Sequence, residues 1–479
     1  MRHARLLFCL LLSQFTFGAF GSADAADRKE LKAGAARVVI NPDMGELIVG
    51  NFGMPPATQI HDDITARCLL LDNGEARIAF VIVDSVHVPR GIFDAARALI
   101  TSDSEIAPVG LVMSSTHTHS ATSSGDWMLK SDALFNVYQQ RAINGIYEAV
   151  KQASSHVQPV RVAWGSFDES SHLNNRRWYV SDPALLVNPI GGTDQVRMNP
   201  AAGSAALVRP AGPVDPQFSF ISVRTLDGTP LSLLANYSLH YVGGVPSGVI
   251  SADYFGVFND QIGTLLNGGN PVPGFVGLYS NGTSGDVNNV DFSGKNKKAY
   301  QPFEKMTEVA TQLAERTAVE EKKLQWHDWV PLKLAETELV LQVRQPDEAL
   351  ARHVAAVLTR PEGEAGRHGL ESVYARRIKG LMDGPKEISA KLQAARIGEQ
   401  VITSIPFEVF AEIGLEIKEK SPFAATFTIS LANGGYGYLP TPAQHAVGGY
   451  ETWLGTNNVQ LDSSEKIVEQ LLKLIDTLQ

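Results

Sequence analysis

The chain has 479 residues, 44% of them apolar and 19% charged, a globular composition that excludes an intrinsically disordered protein. Its 41 Lys and Arg against 51 Asp and Glu give a net charge of −10. An acidic chain without a basic block excludes binding to nucleic acid or to an anionic membrane through bulk charge. Length alone allows one to three domains at roughly 150 residues each, and no Pro/Gly/Ser-rich linker divides the chain, so a single domain over 26–479 is expected.

Residues 1–25 read as a secretory signal peptide. Arg2, His3 and Arg5 form a basic start, Leu6 to Phe20 is mostly apolar, and Ala23-Asp24-Ala25 places small residues where a signal peptidase reads, with cleavage after Ala25. The apolar stretch is short for a membrane span. Such a leader implies a secreted or periplasmic protein. Cys9 leaves with it, and Cys68, on an apolar run, reads as a buried small hydrophobe with no disulfide partner.

In chain order, Ala36 to Ile40 is an apolar strand. Ile64 to Leu71 is the next, closed by the hairpin turn Asp72-Asn73-Gly74. Arg77 to Val83 is near-continuously apolar, as strands buried on both faces are. Ile92 to Ile100 is helical, and Ile106 to Met113 forms a strand that delivers a polar tip. Leu134 to Ala153 repeats apolar residues every fourth position, a helix. Val160 to Gly165 is a strand, and 166–217 a long loop system without periodicity. Phe218 to Thr225 and Pro230 to Tyr237 are strands, Ala252 to Leu266 a helix, Gly274 to Tyr279 a strand and Phe303 to Val319 a helix. Val330 to Val343 and Ala395 to Ile405 read as strands flanking a charged helical insertion, Asp347 to Lys379. Glu408 to Lys420 is a helix, Thr426 to Leu431 a strand, Asn433 to Tyr450 a Gly/Pro-rich loop, and Ser463 to Leu478 a helix capped by Ser463 or Ser464. Strands interleaved with helices predict an α/β class: layered mixed β-sheets flanked by helices, with the active site at strand ends.

Polar, titratable residues recur at those ends: Asp84, His117 with His119, His240, Asp286 and Glu408. If the tip Ser114 to Ser120 stays extended, His117 and His119 point to one face. Two imidazoles there suit two metal ligands, or one ligand and one acid/base group. The ordinary alternative is a pair of surface histidines. For Glu408 it is a helix-start carboxylate stabilised by the macrodipole.

Several segments together resemble the catalytic N-terminal region of the neutral, non-lysosomal ceramidase family. Ser115-Thr116-His117-Thr118-His119-Ser120 is similar to its Thr-His-Thr-His-Ser signature, and Asn236-x-x-x-His240 to its second histidine motif. Ala33 to Pro42, Ser251-Ala252-Asp253-Tyr254, Gly285-Asp286-Val287 and Pro406-Phe407-Glu408 follow in the family's order, as does the twelve-residue spacing of Tyr438 and Tyr450. The resemblance implies a zinc-dependent hydrolase of the N-acyl amide bond of ceramide or a related lipid-like amide. It implies Zn²⁺ held by His117, His240, Glu408 and Tyr438, with His119, Arg176 and Tyr450 as catalytic residues. Attack by zinc-bound water, proton relay through His119 and oxyanion stabilisation by Arg176 and Tyr450 would then cleave the amide. A lipid-like substrate also allows transient contact with a membrane surface.

Two departures bear on the substrate. Asn288 stands where the family has a serine, so contact with the substrate's polar head must differ. The chain also ends soon after the tyrosines, so the family's C-terminal immunoglobulin-like domain is not expected. The alternatives are a hydrolase of another amide or ester, and a non-catalytic zinc- or ligand-binding relative.

Overall fold

The computed structural model describes residues 29–50, 53–106, 108–295, 298–361, 364 and 366–479. The leader expected over 1–25 and two residues of the 50–53 loop lie outside the described residues.

Two sheets dominate. The larger has eight strands, in spatial order Val276–Asn281, Pro230–Tyr237, Gln217–Thr225, Gln158–Asp168, Lys32–Val39, Thr65–Asp72, Arg77–Val83 and Gly110–Ser115. Its inner neighbours are antiparallel. The Asp72-Asn73-Gly74 turn forms as expected: Asn73 Oδ1 accepts from Ala76 N at 2.8 Å, and Gly74 takes a φ of 82°. The two outermost pairs are parallel, Pro230–Tyr237 with Val276–Asn281 and Arg77–Val83 with Gly110–Ser115. A parallel pair needs a crossover, supplied here by helices Asp253–Leu266 and Arg90–Ser102. Each pair therefore delivers two C-terminal strand ends to one side of the sheet, and those ends carry the polar tips.

The smaller sheet runs Leu332–Gln342, Glu387–Ile397, Gln400–Ile405 and Ala425–Ser430. An apolar layer joins the sheets, with Phe80, Ile82 and Leu278 facing Ile402, Phe427 and Ile429. The apolar run at Arg77–Val83 is explained by this sandwich. Ile78, Phe80 and Ile82 face the second sheet, while Ala79, Val81 and Val83 face the helices Arg90–Ser102 and Val137–Ser155. Helices Asp253–Leu266 and Glu304–Glu321 cover the rest of the large sheet. Helices Glu348–Leu358, Glu371–Asp383, Ala411–Lys420 and Ser463–Asp476 cover the small one. The architecture is thus a layered α/β fold, as expected, and Cys68 lies fully buried in it. Among the described residues, no helix is long and apolar enough to cross a membrane.

Several elements differ from expectation. The helix expected from Leu134 starts at Val137, because Asn136 and Gln139 form a reciprocal capping box at 2.8 and 2.9 Å; Leu134 is fully exposed. The single strand expected over Ala395 to Ile405 is the end of one strand and all of the next. Gly398, with φ 60°, turns the chain between them, and a two-residue turn is too short to show in the hydrophobic periodicity. The 166–217 loop contains an antiparallel sheet of Arg177–Val180, Val196–Met198 and Leu207–Pro210. The C-terminal helix has Asp462, not a serine, at its N-cap, with no side-chain cap bond. The Asp462 carboxylate is instead engaged by Gln460 and Lys466, and Ser463 Oγ donates to Gln460 O at 2.7 Å.

Candidate active site

The tip after Gly110–Ser115 does not stay extended. His117 has a φ of 74°, in the left-handed region, so the backbone turns there. His117 N donates to Ser85 O at 2.9 Å, which helps hold that conformation. This turn, rather than strand alternation, brings His117 and His119 together, with their Nε2 atoms 3.2 Å apart.

His240 arrives from the turn after Pro230–Tyr237. Its Nδ1 lies 2.9 Å from Ser284 O, and His117 Nδ1 lies 2.6 Å from Val86 O. A carbonyl oxygen only accepts, so each ring carries its proton on Nδ1 and presents a lone pair at Nε2. Those two Nε2 atoms face each other at 2.9 Å. Glu408 Oε2 stands 3.2 Å from the first and 3.9 Å from the second. It is buried, with no hydrogen-bond donor of its own. Lone pairs and a carboxylate in van der Waals contact repel unless a cation lies among them. Ligand atoms around a tetrahedral zinc at ~2.0–2.1 Å stand about 3.3 Å apart, close to the spacing seen here. The donor set therefore fits zinc.

Glu408 does not start a helix, which removes the macrodipole alternative. The helix begins at Ala411, and Glu408 sits in a two-residue strand paired in parallel with Tyr438–Leu439, directly beside Tyr438. This ladder sets the carboxylate and the phenol side by side, where the phenol favours the charged carboxylate. Burial works against charge on Glu408, but its polar neighbours, Tyr438 and Arg176 among them, outweigh it and hold the carboxyl below its usual range. Burial also pushes the Tyr438 phenol well above its ordinary value. His119 and His240 are driven well below the usual imidazole value, first by burial and further by the Arg176 guanidinium, so both stay neutral. The His119 ring stacks on Tyr241 at 3.8 Å, which fixes its plane.

Arg176 enters from the opposite side. Its Nη1 lies 3.4 Å from His240 Nε2, and its guanidinium lies 5.3 Å from the centre of the Tyr438 ring. Tyr450 packs edge-on to Tyr438 at 5.7 Å, and burial raises its phenol, which stays protonated. The seven candidate residues thus gather in one place. His117, Glu408, Tyr438 and Tyr450 line a cleft of about 480 Å³.

Sequence reasoning missed Glu451. It is fully buried and bridges both arginines, accepting from Arg176 Nε at 2.9 Å and Arg177 Nη1 at 2.7 Å. The doublet Arg176-Arg177 was the available signal, since two adjacent buried cations require a carboxylate. Other expected tips are braces. Asp84 Oδ2 accepts from Thr65 Oγ1 at 2.6 Å, and Asp286 accepts from Ala411 N and Asn175 Nδ2 at 2.9 and 2.8 Å. Asn288 donates to Asn199 at 3.2 Å. The insertion, two helices packed on each other, contributes Arg376, Arg377 and Leu381 of its second helix to one wall of the cleft.

Fold and site together define a layered α/β protein with an imidazole–carboxylate cluster at its strand ends. No protein-family model matches the chain, and no curated protein matches it in sequence. Two solved structures share its fold: the crystal structure of neutral ceramidase from Pseudomonas aeruginosa, and a ceramidase complexed with C2. Each is 15% identical, covers 94% of this chain and 75% of its own, and superimposes with a TM-score of 0.68. At that identity the likeness is one of fold.

Proposed function

We propose that the protein is a zinc-dependent hydrolase that cleaves the N-acyl amide bond of ceramide or a related lipid-like amide. The observation that carries the reading is the facing pair of imidazole lone pairs, His117 and His240, beside the donor-less Glu408 oxygen. The fold shared with ceramidases supports the choice of amide chemistry. His117, His240, Glu408 and Tyr438 would hold the ion. When bound, zinc supplies a water acidified to a pKa of about 7 and polarises the acyl carbonyl.

The chain's own groups do the remainder. Arg176 Nη2 is buried with no acceptor while Nε is tied to Glu451, so the guanidinium is held with one donor unspent for a developing oxyanion. Tyr450, kept protonated, is a second donor. His119, kept neutral, can take a proton and return it to the leaving amine. The expected leader supports a secreted or periplasmic location, and a lipid-like substrate would bring transient contact with a membrane surface.

The test is metal analysis of purified protein with a fluorescent ceramide assay. The reading expects close to one zinc per chain and chelator-sensitive release of fatty acid. Zinc with turnover of short amides or esters but not ceramide would favour a different hydrolase, a reading that Asn288 and the arginine-bearing cleft wall support. Absence of both zinc and turnover would leave a non-catalytic relative.

A further inference from the structure

The cleft above the candidate site has an unexpected wall. A long-chain neutral lipid calls for apolar lining, and Trp127, Met128 and Leu381 supply some. The helix Glu371–Asp383 also presents two adjacent cations, Arg376 and Arg377, both exposed and both lining the cleft. Among the described residues, no carboxylate lies within ion-pair reach of either. Arg377 has only a 3.5 Å bond to Gly455 O and the face of Tyr374 at 5.2 Å. Elsewhere in the insertion, three of the four remaining cations are paired: Arg352 with Glu348, Arg360 with Glu371 and Lys379 with Asp383. The insertion thus neutralises most of its charge away from the cleft and leaves it unspent at the cleft.

We propose that Arg376 and Arg377 bind an anionic group on the substrate, which makes the preferred substrate an N-acyl amide bearing a carboxylate, sulfonate or phosphate close to the scissile bond. This rests on the hydrolase reading above and narrows its substrate class. A guanidinium pair offers several N–H donors in the planar arrangement that such oxyanions accept. A ceramide head group, with hydroxyls alone, would leave both guanidinium groups without a counter-charge. Arg377 and Tyr450 line the same cleft, so an anion held at Arg377 would share it with the proposed oxyanion donor. Two carboxylates also line the cleft: Glu408, which faces the imidazole pair, and Asp126, which accepts from Met128 N at 2.9 Å. With Glu408 turned to the imidazoles, Asp126 is the acid left to oppose the two arginines.

The experiment compares N-octanoylglycine with its neutral counterpart N-octanoylpropylamine on the zinc-loaded full chain, by kcat/KM and by calorimetric affinity. The wild type should favour the anion by about ten-fold. The double variant Arg376→Gln/Arg377→Gln should bring the ratio close to one, and Arg377→Glu should invert it. Preference for the neutral amide, or an anion preference that survives in the double variant because the metal alone attracts the carboxylate, would overturn the proposal. If neither amide nor the fluorescent ceramide is hydrolysed, the hydrolase reading fails, and the affinity ratio still decides the arginine site; turnover of ceramide alone would keep that reading and overturn the proposal.

Discussion

Two buried charged clusters lie side by side in this protein and are wired in opposite ways. In the first, His117 Nε2, His240 Nε2 and Glu408 Oε2 are all acceptors, because Val86 O and Ser284 O accept from Nδ1 and so keep each imidazole's proton there. In the second, Glu451 accepts from both Arg176 and Arg177, and Arg177 also donates to Gly448 O at 2.6 Å. The first is electrostatically incomplete without a cation. The second carries its own counter-charge and spares one donor, Arg176 Nη2. Two neighbouring sites built from common polar residues thus differ in what they can take: the first a metal, the second an oxyanion.

The strongest attempt to break that contrast is His117→Ala. It should abolish zinc binding, from close to one ion per chain to near none, and lower amide turnover by about 10³-fold or more, as loss of a zinc-activated water would. Full zinc content in this variant, by plasma emission, would remove the acceptor cluster as the metal site. Next in size is Glu451→Gln, which leaves two buried guanidinium groups facing a neutral amide. Breaking a buried pair costs about 3–5 kcal/mol, so the denaturant midpoint should fall sharply while zinc content stays at the wild-type level. Loss of zinc as well would mean that the two clusters are one.

Removing the metal is a gentler probe. A ligand that binds only the folded state stabilises it by about 4 kcal/mol at a thousand-fold excess over Kd. A chelator should therefore lower the melting temperature of the wild type and leave that of His117→Ala unmoved. The smallest effect is set by Asp84, which burial pushes up to about 6 from 3.8 against the pull of Arg67 and Thr65. Its folded value lies above the unfolded one. The stability it contributes is therefore present in full below about pH 4 and lost as the pH rises through about 6. Asp84→Asn should remove this dependence, so the variant gains on the wild type by up to about 3 kcal/mol between pH 4 and pH 7. Parallel stability–pH curves would rule the assignment out.

How far the sequence could be read varied with the kind of signal. Apolar runs located most strands and helices, because burial on one or both faces leaves a periodic trace. The turn at Gly398-Glu399 is only two residues long, too short to interrupt the apolar positions around it visibly, and two strands read as one. The candidate residues His117, His119, Arg176, His240, Glu408, Tyr438 and Tyr450 were readable as motifs, and the structure brings them together. Their arrangement was not readable. His117 was expected on an extended tip and sits in a left-handed turn, and Glu408 was expected on a helix and pairs with Tyr438 in a short ladder. Glu451 stayed hidden because a carboxylate in a Gly-rich loop looks solvated until the partners that bury it, Arg176 and Arg177, are known.

By itself, the sequence determined the layered α/β class, the strand ends as the place for chemistry and the residue types available there. These follow from local properties: hydrophobic period, turn residues and side-chain chemistry. The tertiary structure alone decided which way each imidazole points its lone pair, which carboxylate oxygen is left without a donor, and which two arginines of the insertion reach the cleft unpaired. Each of these is a contact between segments from about thirty to nearly three hundred residues apart, and no local pattern encodes them.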